Sequence, residues 1–285
     1  MIQLLLLAAL LVQDRQQKPA PDVKDEKYGT HERHVLDLWK AKSETPTPIV
    51  VFIHGGGFQG GNKEQVNAGL IQRCLEAGIS VASINYRLTN VGPFPGPMHD
   101  GGRAVQYLRH KAKDFNLNGK AACTGGSAGA GISLWLAFHE DLAKPDAEDP
   151  VLRQSTRLSC VVSNQGQTSY DPRFILKHIG GRAHEHRALP PFWGLKPDEM
   201  DTEKAHKIFE ECSPITHLTK DDPPIYLSYS GKDQPNDKQP GAGIHHEKFG
   251  LVLQEEMKKL NLACELKVGG GDFNAQMEFF KRHLK

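Results

Sequence analysis

Lys120-Ala121-Ala122-Cys123-Thr124-Gly125-Gly126-Ser127-Ala128-Gly129-Ala130-Gly131-Ile132 joins a short apolar run, a glycine-flanked serine and the start of an apolar segment. The run over 120–124 reads as a strand, and the segment bearing Ile132 and Trp135 reads as a helix. Between them stands Gly125-Gly126-Ser127-Ala128-Gly129, the G-x-S-x-G pattern of a nucleophile elbow. Glycines flank the serine because the turn is too sharp for side chains there. The free N–H groups of the helix start point at charge developing beside Ser127. A second motif, His54-Gly55-Gly56-Gly57, directly follows the apolar run Ile49–Ile53. The Gly56, Gly57 and Ala128 N–H groups together would form an oxyanion hole. Each motif alone also fits an ordinary glycine turn, and the second fits a phosphate-cradling loop. Neither is followed by the lysine of a G-x-x-x-x-G-K phosphate loop.

Outward from the elbow, further runs over 34–39, 79–86, 159–163, 225–229 and 264–268 read as strands. Ile49–Ile53 is continuously apolar, as in a parallel strand buried on both faces. Helical stripes fall between them: Val105, Leu108, Ala112 and Phe115; Phe249, Leu253, Met257 and Leu260; Phe273, Met277, Phe280 and Leu284. Strands alternating with such helices predict right-handed crossovers and an α/β fold with a doubly wound, mostly parallel sheet. Residues 170–222 break the rhythm, being rich in proline, histidine and charge, and read as a cap-like excursion within one domain spanning 26–285. No internal repeat is visible.

The chain has 285 residues, with 35 Lys+Arg against 34 Asp+Glu. That balance favours neither nucleic acid nor an acidic membrane as partner. Hydrophobic residues at 38% and charged residues at 24% suit a globular protein and exclude disorder. The first 25 residues read apart: nine apolar residues, Leu4–Val12, precede a polar stretch over 13–25 taken as a linker. Nine are too few to span a bilayer, where about 20 are needed. They fit the apolar core of a secretory signal, which predicts a secreted or periplasmic protein with no integral span. Cysteines 74, 123, 160, 212 and 264 are too scattered for a disulfide framework and form no C-x-x-C pair.

The sequence resembles the hormone-sensitive-lipase-like branch of α/β-hydrolase esterases from about Tyr28 to the C-terminus. The resemblance rests on Leu36-Asp37-Leu38, HGGG followed by Phe58, Asn85-Tyr86-Arg87-Leu88, His99-Asp100, the Ser127 elbow, and Ser213-Pro214-Ile215-Thr216 before Asp221-Asp222-Pro223-Pro224. It implies an α/β-hydrolase fold, a small-molecule ester substrate, Ser127 as nucleophile, no cofactor and no metal. The family acid follows the strand after the cap, so that role falls on Asp233 in Ser230-Gly231-Lys232-Asp233.

At one place the family pattern breaks. The catalytic histidine is expected in the glycine turn before the last helix, but Gly269-Gly270-Gly271 leads into Asp272. A carboxylate near pKa 3.9 is a far weaker base than an imidazole near 6.5, and Asp272 beside Asp233 would repel it. Losing the base of a serine triad costs on the order of 10⁶ in kcat. Among the 14 histidines, His245 and His246 are the best replacements, because the Gly- and Pro-rich stretch 232–243 before them can fold over the edge of the sheet. His54 reads as an organiser of its glycine loop, His99 as structural at a helix start, and His283 as solvent-facing. His178, His184 and His186 with Glu185 match no metal spacing.

Two readings therefore follow. One is a serine carboxylic ester hydrolase acting on a small ester or acylated sugar, with its base moved. The alternative is a catalytically impaired homologue that serves as a binding or scaffold protein.

Overall fold

A computed structural model describes residues 17–285; the apolar run Leu4–Val12, expected to be a secretory segment, lies outside the described residues. The strands are β1 (Val23–Lys27), β2 (Val35–Trp39), β3 (Thr47–Ile53), β4 (Ser80–Ile84), β5 (Leu117–Gly126), β6 (Cys160–Asn164), β7 (Ile225–Tyr229) and β8 (Cys264–Val268). They form one sheet in the order β1-β2-β4-β3-β5-β6-β7-β8. The β1–β2 and β2–β4 pairs are antiparallel, and every pair from β4 through β3, β5, β6 and β7 to β8 is parallel. The mostly parallel, doubly wound sheet agrees with the α/β reading.

Strand periodicity explains why the sheet is covered on both faces. Ile49, Val51 and Ile53 of β3 belong to one core, while Val50, with Phe52 packed beside it, belongs to the other. Alternate side chains point to opposite faces, so a continuous apolar run fills two cores at once. The first core receives α2 (Gly96–His110), α4 (Ala128–Phe138) and α8 (Lys248–Lys259), through Val105, Leu108, Ile132, Trp135, Phe249 and Leu253. The second receives α1 (Ala68–Glu76) and α9 (Phe273–Leu284), through Ile71, Cys74, Met277 and Phe280. All five cysteines are free thiols, four of them buried.

Two boundaries differ from the sequence reading. The stretch 13–25, taken as a linker, already contains the start of β1, whose polar VKDEK pattern suits an exposed edge strand. The helical stripe from Val105 to Phe115 is two helices: α2 stops at His110, Lys111 leaves helical geometry (φ −91, ψ 11), and α3 (Ala112–Phe115) follows. The excursion over 170–222 contains α5 (Pro172–His178), α6 (Leu189–Trp193) and α7 (Glu203–Cys212). It is fastened above the sheet by aromatic packing: the Phe192 ring stacks on Phe58 at 4.1 Å, next to Tyr170. Among the described residues no helix is long and apolar enough to cross a membrane.

Asp100 of α2 ties the segment after β4 to the residues before β2. Its carboxylate accepts from the Arg87 backbone N–H and guanidinium at 2.6–3.0 Å, and His34 Nε2 lies 3.0 Å away. Burial pushes the Asp100 carboxyl upward, but His34 and Arg87 outweigh it and hold it below the usual carboxylate range. A carboxylate lowered in the folded state stabilises fully above its unfolded pKa and loses that contribution as pH falls through the folded value. Replacing Asp100 by Ala is expected to cost about 3–5 kcal/mol at pH 7. Urea denaturation checks this, and the deficit relative to wild type should shrink as the pH is taken below about 4.

Candidate active site

Ser127 stands between the end of β5 and the first residue of α4, with φ 52 and ψ −118. A non-glycine residue held in such a conformation stores strain and is found at nucleophile elbows. The glycines around it are required by contact. A Cβ on Gly125 or on Gly129 would overlap the Ile53 carbonyl oxygen, so β5 and α4 can close onto the end of β3 only without side chains there. The Ser127 N–H donates to Asn164 O at 3.0 Å, and Asn164 Oδ1 accepts from Gln276 Nε2 at 2.8 Å. β6 and α9 thus buttress the turn.

The HGGG loop lies against this elbow: a Cβ built on Gly55 falls 3.8 Å from Ser127 Cβ. Gly56 and Gly57 have φ +114 and +59, conformations in which a side chain would be strained. No protein acceptor for the Gly56, Gly57 or Ala128 N–H is found among the described residues. Backbone donors left open beside a serine are what an oxyanion hole needs. Behind the loop, buried His54 stacks on Tyr86 with ring centroids 4.2 Å apart. Its Nδ1–H donates to Gly55 O at 2.8 Å, and its Nε2 accepts from Arg33 Nη2 at 3.2 Å. Burial pushes His54 down to about 4. It is a neutral organiser of the loop, as the sequence suggested. Arg33 was not foreseen; it also donates to the Gly61 and Tyr86 carbonyls, at 2.9 and 2.7 Å, and so closes both ends of the loop.

Of the residues weighed for the missing base, His245 reaches the serine. Its Nε2 lies 2.8 Å from Ser127 Oγ. Asp233 holds the loop that delivers it: Oδ1 accepts from the Gly243 N–H at 2.8 Å and Oδ2 from the His245 N–H at 2.7 Å. The same Oδ2 lies 3.5 Å from His245 Nδ1, at ion-pair range. Facing a carboxylate, Nδ1 keeps the proton, and Nε2 is left to accept from the serine hydroxyl. Burial lowers the His245 pKa, and the Asp233 charge opposes this only in part.

Two of the candidates stand elsewhere. His246 points away from Ser127: its Nδ1 accepts from the Lys248 N–H at 3.0 Å and its Nε2 lies 3.3 Å from Gln234 Oε1. One residue's difference in a tight turn sends neighbouring side chains in different directions. Asp272 is the N-cap of α9, accepting from the Ala275 N–H at 3.0 Å, and makes no hydrogen bond to Ser127, Asp233 or His245. A carboxylate at a helix start satisfies an orphan N–H and suits the helix dipole, which gives Asp272 a local use. His283 is half-buried against Phe279 rather than free in solvent. Among the described residues, His178, His184 and His186 do not gather within ligand range of one another.

His186 nevertheless belongs to the site. With Gly57, Tyr170, Leu189 and Ile244 it surrounds a pocket shared by Ser127, Ala128 and His245, with a volume of about 20 Å³. Beside it, residues 185–187 and 232–245 frame a wider groove of about 750 Å³ that also reaches Asp233 and His245. No motif marked Tyr170, Leu189 or Ile244, because they come from the cap and from loops whose paths follow tertiary packing.

An elbow serine, a glycine loop with open N–H groups and a mostly parallel sheet define an α/β-hydrolase of the esterase/lipase type. The chain belongs to the BD-FAE family, which matches residues 36–240. Esterase LipQ of Mycobacterium tuberculosis is 25% identical over 222 residues, covering 75% of this chain and 49% of the relative. Esterase LipC of the same organism is 22% identical, covering 72% and 50%. The chain thus spans about half the length of these curated relatives. Among solved structures, a truncated carbohydrate esterase from gut microbiota superposes with TM-score 0.74 at 20% identity, covering 94% of this chain and 99% of the other. An acetyl ester-xyloside bifunctional hydrolase from Caldicellulosiruptor lactoaceticus does so with TM-score 0.69 at 18% identity, covering 87% and 86%.

The two aspartates are separable by substitution. Asp272→Ala is expected to lose about 1 kcal/mol of stability, the usual worth of an N-cap, and to leave the His245 resonances in an NMR spectrum unshifted. Asp233→Ala should move those resonances, because it frees the Gly243 and His245 N–H groups.

Proposed function

We propose that the protein is a serine carboxylic ester hydrolase that removes a short acyl group from a polar alcohol such as a sugar. The observation that carries this is the 2.8 Å approach of His245 Nε2 to Ser127 Oγ. In this reading His245 takes the hydroxyl proton as Oγ attacks the ester carbonyl. The new oxyanion is held by the Gly56, Gly57 and Ala128 N–H groups. The imidazolium, steadied by Asp233, returns the proton to the departing alcohol and leaves an acyl-serine. Water, deprotonated by the same ring, then releases the acid and restores Ser127.

The size of the pockets supports a division of labour. A volume of about 20 Å³ beside Ser127 has room for little beyond a water-sized group, which suits an acetyl methyl. The broader groove carries Lys232, Gln234, Asn236 and Gln239, donors and acceptors matched to hydroxyl groups of an alcohol moiety. The names of the structural neighbours, a carbohydrate esterase and an acetyl ester-xyloside hydrolase, agree with this substrate class. The run Leu4–Val12 supports work outside the cytoplasm, where such substrates are met.

Turnover of 4-nitrophenyl acetate tests the reading. Ser127→Ala and His245→Ala should each lose on the order of 10⁴–10⁶ in kcat, with the double variant no worse than the single ones. His246→Ala should stay within a few-fold of wild type. Because burial lowers His245, its basic form prevails at neutral pH. The wild-type kcat/KM should therefore be flat near pH 7 and fall tenfold per unit as pH drops below a midpoint under 6.5. A wild type no faster than Ser127→Ala would favour the impaired, ligand-binding reading instead.

A further inference from the structure

A second cluster of chemistry-bearing side chains lies at the far end of α4, which closes at its C-cap His139. The twelve steps from the N-cap Ser127 to the C-cap His139 place it about 18 Å along the helix from Ser127. There one imidazole nitrogen each of His139 and His217 and a Glu211 carboxylate oxygen all lie within 4.8 Å of one another. Glu211 belongs to α7, and His217 ends the short turn Pro214–His217.

Three details suit a metal ion better than a chance meeting. Each ring is held by a backbone carbonyl: His139 Nδ1 is 2.9 Å from Glu140 O, and His217 Nε2 is 2.8 Å from Glu211 O. In the neutral ring such a bond takes the one N–H and turns the other nitrogen's lone pair outward, the arrangement by which outer partners fix a ligating histidine. His139 Nε2 faces Glu211 Oε1 at 3.1 Å, a contact that a proton on the ring satisfies and that a bound cation replaces. Ligand atoms about 2.0–2.2 Å from a tetrahedral zinc ion are roughly 3.4 Å apart, close to the 3.1 Å of the His139–Glu211 pair and inside the 4.8 Å that bounds all three atoms. Finally, the frame is rigid. His139 stacks on Trp135 at 3.9 Å, and Trp135 Nε1 donates to the same Glu211 carbonyl that holds His217. Glu211, half exposed, is free to close the remaining gap.

We propose that His139, Glu211 and His217 bind one zinc ion, with water completing the shell. Two imidazoles and one carboxylate are a donor set that zinc accepts and that calcium or magnesium, which prefer oxygen, does not. The ion ties the cap helix α7 to the end of the helix whose other end bears Ser127. It is therefore a staple between the cap and the elbow helix, separate from the ester-cleaving groups.

Isothermal titration of zinc chloride into the chelator-stripped full chain tests this without reference to turnover. Wild type should bind one Zn²⁺ per chain, and its melting temperature should rise by about 5 °C at 100-fold excess over Kd. Glu211→Gln and His217→Gln should each weaken binding at least tenfold. Glu211→Gln keeps the shape of an exposed side chain, and a zinc-free melting curve matching wild type would verify that it folds. A His178→Ala/His184→Ala control should bind as wild type. Absence of binding by wild type, undiminished affinity in either Glu211→Gln or His217→Gln, or loss only in the control would overturn the proposal.

Discussion

Both oxygens of one carboxylate hold the loop that places an imidazole beside Ser127. Asp233 accepts the Gly243 and His245 N–H groups, and so folds residues 233–245 into a closed loop over the end of the sheet. Hydrogen bonds to a charged acceptor are worth roughly twice those between neutral groups. Two of them converging on one side chain are enough to fix a loop otherwise rich in Gly and Pro. The position of the imidazole beside Ser127 follows from that closure, since the backbone of His245 is itself one of the two donors.

Asp233 and His245, the acid and the base of the proposed mechanism, both come from one loop, between β7 and α8. The glycine turn between β8 and α9, where the family pattern expects the histidine, serves the fold instead. Asp272 caps α9 there, and the Gly269 and Gly270 N–H groups both donate to Tyr229 O at 3.0 Å. A proton acceptor needs only to reach the serine with the right nitrogen; which segment brings it is free to vary. The serine and its donors have no such freedom. Gly125 and Gly129 are pressed onto the Ile53 carbonyl, so the elbow can form only where β3, β5 and α4 meet.

This difference explains what could be read from the sequence. The elbow and the HGGG loop announce themselves because backbone contact dictates the residue types at fixed spacing. β3 was legible because alternate residues must satisfy two cores, and α9 because its stripe faces one. β1 was not, since an exposed edge strand needs no apolar pattern. His245 and His246 could be named together but not told apart: the choice depends on the loop's path, which the Asp233 carboxylate sets across ten and twelve residues. Arg33 and Tyr170 carried no signal, and His186 none that pointed to this pocket, because each reaches the site through tertiary contacts made by a different segment.

The central claim is that His245 activates Ser127 in place of a histidine at position 272. The rate at which a fluorophosphonate labels Ser127, followed by intact mass, tests it without knowledge of the natural substrate. The account predicts a single adduct on Ser127 in wild type and in Asp272→Ala, forming at similar rates, and labelling slowed by orders of magnitude in His245→Ala. Labelling of His245→Ala at the wild-type rate, or no adduct on Ser127 in wild type, would contradict it.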